Sequence, residues 1–336
     1  MRAATGCLMG QALGDALGAP TEFLTVSQIR RHFPPNGPQE PTGDPILVTD
    51  DTQMMLAVGQ SLYDLAMPAT PDGFEPVLRQ AFITWRNSPE NNRAPGMTCM
   101  SACERLEAGL PWHEATIINS KGAGANMRVA PVGLFAYAHQ LDGQTQAALA
   151  QFQAALTHGH PTALAAADLT AWVVAELSSK NTHPDDLLPK LRAYAESQHT
   201  VYHSSWLGPL WQRAFVNSPE AFISRGWDEC LSALRRVEQA ITTHDTKTDP
   251  CELTGDGWIA EEALATGLLC FLLFVDDPVA AIRRAALTSG DSDTIASLTG
   301  AFAGAYHGLD AWPEMWVAHL EYREQLITLG RAWDMV

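Results

Sequence analysis

Residues 6–18 read Gly6-Cys7-Leu8-Met9-Gly10-Gln11-Ala12-Leu13-Gly14-Asp15-Ala16-Leu17-Gly18, with a glycine at every fourth position. Four residues is close to one α-helical turn, so on a helix these glycines lie along one face. A face without side chains lets a second backbone pack very closely. Outward from this stretch, most of the chain reads the same way. Ala- and Leu-rich segments with helical spacing of apolar residues run at 52–65, 75–85, 144–156 and 162–177. Further ones follow at 187–197, 227–242, 259–275, 278–287, 292–306 and 313–332. No alternating β-branched stretch suggests a sheet. Breakers fall at 34–38, 68–73 and 183–186, and Pro278 suits a first-turn proline. No linker or repeat divides the chain, so the expected fold is all-α, a single compact multi-helix domain over 1–336. The segment 25–48 is the exception. It holds five of the 21 prolines with little periodicity and is expected to be a long ordered loop beside something functional.

The bulk properties narrow the function. A chain of 336 residues, 46% hydrophobic and 18% charged, is globular in composition. The formal net charge of -17 repels phosphate backbones, so stable nucleic-acid binding is not expected. A small anion can still bind where a metal or a nest of N–H groups reverses the field. The six cysteines (Cys7, Cys99, Cys103, Cys230, Cys251 and Cys270) form no CxxC and no zinc-finger spacing. They read as reduced core thiols of a cytoplasmic protein. The small, apolar start is broken by Gly10, Gln11, Gly14 and Asp15, which argues against a signal peptide. The longest apolar run, 267–275, is too short to span a bilayer and reads as a buried helix, so no membrane association is expected.

Two acidic clusters carry the chemistry. Thr49-Asp50-Asp51-Thr52-Gln53-Met54 opens one helix, and Gly290-Asp291-Ser292-Asp293-Thr294 opens another about 240 residues later. Such residues cap helices, but four carboxylates with Thr hydroxyls also suit hard cations such as Mg²⁺, Mn²⁺ or Ca²⁺. Two clusters of matching chemistry favour a shared metal site over two independent caps. Gly122-Ala123-Gly124-Ala125-Asn126-Met127-Arg128 is a glycine turn leading into a helix, a natural backbone cradle for phosphate. It follows no predicted strand and so lacks the Rossmann context.

Taken in order, these pieces resemble the ADP-ribosylglycohydrolase family. The matching blocks are 6–23, 49–54, 122–133, 157–163, 257–269 and 290–295, spanning nearly the whole chain. GDALGAPTEF (14–23), TDDTQM (49–54) and GDSDTI (290–295) are the specific ones. The resemblance implies a helical domain with two divalent cations, Mg²⁺ or Mn²⁺. Thr49, Asp50 and Asp51 would bind one ion, Asp291 and Thr294 the other, and Asp293 would bridge them. Glu22 matches an acidic residue at the rim, able to ligate metal or act on water or substrate; without the resemblance it reads as a surface carboxylate. Gly122, Gly124 and Asn126 would face the pyrophosphate, although this chain has Ala123 where the common family form has Asn. His158 matches a Thr-His block near the nucleotide. Trp258 is placed to stack on ribose or adenine, with a core tryptophan as the other reading. Arg128 reads either as a phosphate ligand or as the partner of a core carboxylate.

The implied reaction removes ADP-ribose from a modified acceptor, with arginine on protein as the preferred linkage. Cleavage of the C1″–N or C1″–O bond passes through an oxocarbenium-like state, and Glu22 or Asp51 would take the proton of the attacking water. Other readings stay open: serine-linked or other conjugates, a non-catalytic ADP-ribose binder, or an immunity protein that neutralises an ADP-ribosylating toxin. The segment 25–48 joins Glu22 to Thr49, so both its ends are expected beside the metals. It would then cover the scissile bond, with Glu40 and Asp44 available to an arginine guanidinium.

Overall fold

The computed structural model describes residues 2–335. Its centre is a pair of helices, Ala3–Gly18 and Ser292–His307, which run antiparallel and pack closely along most of their length. The glycine face predicted for 6–18 makes this possible. A Cβ on Gly14 would lie 2.0 Å from the Ala296 carbonyl oxygen, and one on Gly300 would lie 1.9 Å from that of Gly10. No side chain fits there. Both helices are buried nearly all round, as central helices of a large domain are.

The remaining helices wrap this pair. Pro161–Ser179 is buried along most of its length and packs on Gly143–Ala155, Ala130–Ala138 and Pro219–Thr243. Outer helices are amphipathic, as in Pro71–Arg86, which buries Phe74, Leu78, Phe82 and Trp85 along one stripe. One apolar cluster runs through nearly all of them. Among the described residues there is no named strand, only four isolated bridges. All six cysteines are free and buried. Among the described residues, no helix is long and apolar enough to cross a membrane.

Several boundaries differ from expectation. The segment 25–48 is not all loop, because Val26–His32 is helical behind a capping box in which Thr25 and Gln28 satisfy each other. Pro71 and Pro184 do not break helices but open them at the first turn, where a missing N–H costs nothing. The expected 313–332 helix is two helices, Glu314–His319 and Arg323–Asp334. Between them the chain pairs with Ile46: its N–H donates to the His319 carbonyl at 2.8 Å, and the Glu321 N–H donates to the Ile46 carbonyl at 3.0 Å. This tertiary pairing overrides helical propensity and ties down the end of the 25–48 segment.

Candidate active site

Two helix starts meet at one point. Thr49 is the N-cap of Asp50–Tyr63, and Asp291 holds the same position before Ser292–His307. The Thr294 hydroxyl donates to Asp51 Oδ1 at 3.3 Å, linking clusters 243 residues apart in sequence. Asp293 Oδ1 accepts the Thr294 N–H at 2.9 Å, and Asp50 Oδ2 accepts the Gly96 N–H at 3.2 Å. Both helix dipoles therefore point their positive ends at the same group of acids. The close packing of the central pair sets the spacing: a Cβ on Gly18 would lie 2.6 Å from Asp293 Cα.

Glu22 reaches this point from the end of the first helix. The Thr21 hydroxyl lies 2.7 Å from the Gly18 carbonyl, 2.8 Å from that of Ala286 and 2.9 Å from Ser292 Oγ, which stitches the turn to the second cluster. As a result, carboxylate oxygens of Glu22, Asp291 and Asp293 lie within 4.8 Å of one another.

A sixth acid, Asp15, sits beneath them, fully buried. Its carboxylate accepts the Thr49 N–H at 3.0 Å, the Thr52 N–H at 3.2 Å and the Thr52 hydroxyl at 2.5 Å. It thereby fixes the start of the helix that carries Asp50 and Asp51. Sequence reasoning missed this role, although a carboxylate inside an otherwise apolar helix was the available signal.

The electrostatics of the group are one-sided. Burial, reinforced by neighbouring carboxylates, pushes Asp15 and Asp50 up to about 7 and Glu22 up to about 9. The same causes hold Asp51 and Asp291 well above the usual carboxylate range, and burial alone raises Asp293 against the hydrogen bonds that lower it. Among the described residues, none of the six makes a salt bridge with Lys, Arg or His. Asp51 Oδ2 is buried with no hydrogen-bond partner. Hard oxygen donors, buried and without a counter-charge, are a set that suits divalent cations.

Opposite lies the glycine turn. The Ala123 N–H donates to the Trp258 carbonyl at 3.1 Å and the Ala260 N–H to the Lys121 carbonyl at 2.8 Å, so 121–123 and 258–260 brace each other. A Cβ on Gly122 would meet His158 Nε2 at 3.2 Å, and one on Gly124 would meet Cys99 Sγ at 3.0 Å. Between the turn and the acids is a cavity of about 330 Å³, lined by Glu22, Asp50, Asp51, Asp291, Asp293 and Thr294 on one side. Gly122, Gly124, His158 and Trp258 line the other. At its mouth Phe23 and Trp258 stack with ring centroids 5.4 Å apart, Phe23 at a backbone φ of 64°. Phe23 closes the 14–23 motif, but nothing in the sequence assigned it to the cavity.

The structure leaves three expected residues off this cavity. Asn126 is fully buried and donates to the Ala260 carbonyl at 3.3 Å, bracing the turn from behind. Thr49 faces an adjoining cavity of about 590 Å³. Arg128 is neither a phosphate ligand nor the partner of a core carboxylate. It is wholly buried over the Phe82 ring and donates to Gln153 Oε1 at 2.8 Å and Thr157 Oγ1 at 2.7 Å.

The fold and site thus define a helical protein in which a floor of acids faces a glycine turn across one cavity. The chain belongs to the ADP-ribosylglycohydrolase family, whose profile matches residues 1–335. It is 26% identical to the ADP-ribosyl-[dinitrogen reductase] glycohydrolase of Rhodospirillum rubrum, over 95% of this chain and 90% of that one. It is also 26% identical to human ADP-ribosylhydrolase ARH3, over 98% and 92%. Among solved structures, an ADP-ribosylglycohydrolase-related protein complex superimposes with a TM-score of 0.68 at 26% identity, covering 99% of this chain and 97% of that one.

Proposed function

We propose that this protein is a divalent-metal-dependent hydrolase that releases ADP-ribose from arginine-linked conjugates on protein. The observation that carries the reading is the convergence of five carboxylates, four of them buried and none in an ion pair among the described residues, on a cavity whose far wall is a glycine turn, with Asp15 buried beneath them. Asp50 and Asp51 would hold one Mg²⁺ or Mn²⁺, Asp291 and Thr294 a second, with Asp293 shared, while Thr49, off this cavity, caps the helix by accepting the Asp51 N–H at 3.3 Å. Bound cations would acidify water and fix the ribose hydroxyls. Glu22, at the edge of the acids, would accept the proton of the attacking water once bound cations offset the neighbouring carboxylates and leave it ionised, with Asp51 as the other candidate. That water adds at C1″ as the bond to the acceptor breaks, and the acceptor leaves with a proton. Gly122 and Gly124 would receive the pyrophosphate, with His158 and Trp258 beside the nucleotide. The six buried free cysteines accord with a cytoplasmic setting.

The choice of arginine rests on the adjoining cavity. It shares Glu22, Phe23 and Ala94 with the first and is walled by the 25–48 segment, including Phe33, Pro38, Glu40 and Leu47. Largely apolar walls with the carboxylates of Glu22 and Glu40 suit an aliphatic stem ending in a guanidinium. Of the two acids expected to serve, Glu40 lines this cavity and Asp44 does not.

The test is release of ADP-ribose from arginine- and serine-linked peptides with Mg²⁺, with Mn²⁺ and with chelator. Arginine-linked peptide should be the better substrate, and chelator should stop release. Glu22→Gln should lower kcat by about a hundredfold or more while ADP-ribose affinity stays close to wild type, the pattern of an interaction made in the transition state. Tight ADP-ribose binding with no release from any conjugate would make the protein a binding module.

A further inference from the structure

His158 stands in a chain of buried contacts that begins at Arg128. The guanidinium donates through Nη2 to Thr157 Oγ1 at 2.7 Å and to the Gln153 carbonyl at 2.9 Å, and through Nε to Gln153 Oε1 at 2.8 Å. Thr157 Oγ1 in turn lies 2.8 Å from His158 Nδ1. Arginine only donates, so the threonine oxygen is an acceptor on that side and its single proton must go elsewhere. Two acceptors are in range. The Ala154 carbonyl is 3.5 Å away and already takes the Thr157 N–H at 3.1 Å and the His158 N–H at 2.8 Å. Nδ1 is the nearer and is not otherwise engaged. The hydroxyl therefore donates to Nδ1.

We infer that Arg128 and Thr157 are positioning residues that lock His158 into the tautomer carrying its proton on Nε2. That nitrogen faces the glycine turn, 3.2 Å from where a Gly122 Cβ would stand, and makes no hydrogen bond among the described residues. Burial and the nearby guanidinium hold the imidazole well below its usual range, so it stays neutral and offers one N–H. A neutral imidazole with the opposite tautomer would turn a lone pair towards an incoming oxyanion. With Nε2–H it donates instead, and the relay converts a distant buried charge into a fixed donor beside the cradle. Gln153 ties the two together, since its Nε2 donates to the Ala125 carbonyl of the same turn at 2.9 Å. The ligand's identity, the phosphate or ribose oxygens of ADP-ribose, rests on the proposed function; the tautomer does not.

Long-range proton–nitrogen NMR distinguishes a protonated ring nitrogen from a bare one, and the His158 signals can be assigned by their loss in His158→Gln. In the ligand-free wild type, Nε2 should be protonated and Nδ1 bare. Thr157→Val, nearly equal in volume, should populate both tautomers and raise the Kd for ADP-ribose by about tenfold, with KM moving more than kcat. Thr157→Ser should restore both. A proton on Nδ1 in the wild type, or an unchanged tautomer in Thr157→Val, overturns the inference. The expected tautomers in a protein that hydrolyses no conjugate would leave the relay standing and remove the functional reading alone.

Discussion

On one side of the pocket six carboxylates gather around two helix starts; on the other a single guanidinium lies buried among neutral groups. The acids have no side-chain cation, and one of their oxygens has no partner at all. Arg128 has no carboxylate, yet hydrogen bonds and the Phe82 ring at 4.4 Å occupy its guanidinium. A buried charge with its hydrogen bonds satisfied is stable within the chain, whereas a buried cluster of like charges is stable only with something added. The contrast separates what the protein completes for itself from what it leaves to a ligand. It also orders the field across the cavity: negative where cations would sit, neutral to positive where a pyrophosphate would sit.

The most severe way to break the comparison is on the acid side. Asp293→Ala should lower turnover by more than about a hundredfold and weaken Mn²⁺ binding in calorimetry, because even partners one step removed from a metal are worth about 10–100-fold. Circular dichroism should remain that of the folded wild type. Full activity, or equal activity in chelator, would show that the two clusters are helix caps and nothing more.

This side of the pocket was largely legible in the sequence; on the other, Gly122, Gly124, His158 and Trp258 were named but the buried bonds behind them were not. Thr49–Asp51 and Asp291–Thr294 are local words, each written in adjacent residues at a helix start. Arg128, Gln153 and Thr157 are spread over about thirty residues, and nothing in their spacing shows that they meet. Likewise the glycine period of 6–18 announced a close helix pair but not that Ser292–His307 was the partner. The break at 320–322 escaped notice because its cause, pairing with Ile46, lies far away in the chain. Asn126 fits the motif by position but is turned inward by its bond to Ala260, which only the fold could reveal.

A milder test uses pH. Folded carboxyls raised to about 7 at Asp15 and Asp50 and about 9 at Glu22 hold protons that the unfolded chain, titrating near about 4, has already lost. Between those limits the unfolded state binds fewer protons, so stability falls as pH rises. Chelated protein should melt at least about 3 °C lower at pH 9 than at pH 6. Millimolar Mg²⁺ or Mn²⁺ should flatten the slope, because bound cation supplies the missing counter-charge. A chelated protein with no slope over this range would mean that the acids are compensated within the chain. Arg128 contributes nothing to the window, since a guanidinium stays charged throughout.

The smallest effect concerns the place where the two sides touch. Phe23 follows Glu22 and belongs to the acid side, while Trp258 opens the segment that braces the glycine turn; their rings stack at an interplanar angle of 18°. Phe23 is 67% and Trp258 41% exposed, so the stack can offer an aromatic face to a nucleotide as well as join the walls. The two roles separate under Trp258→Ala. An aromatic contact is worth about 0.5–1.5 kcal/mol, so a face that holds ribose or adenine predicts a loss of ADP-ribose affinity of about fivefold, with Mn²⁺ affinity unchanged. A stack that only joins the walls predicts the reverse: ADP-ribose affinity close to wild type and a melting temperature lower by a degree or two, roughly the effect of one such contact in a chain of this size. Titration calorimetry with ADP-ribose, run beside a thermal melt of the same sample, decides between them.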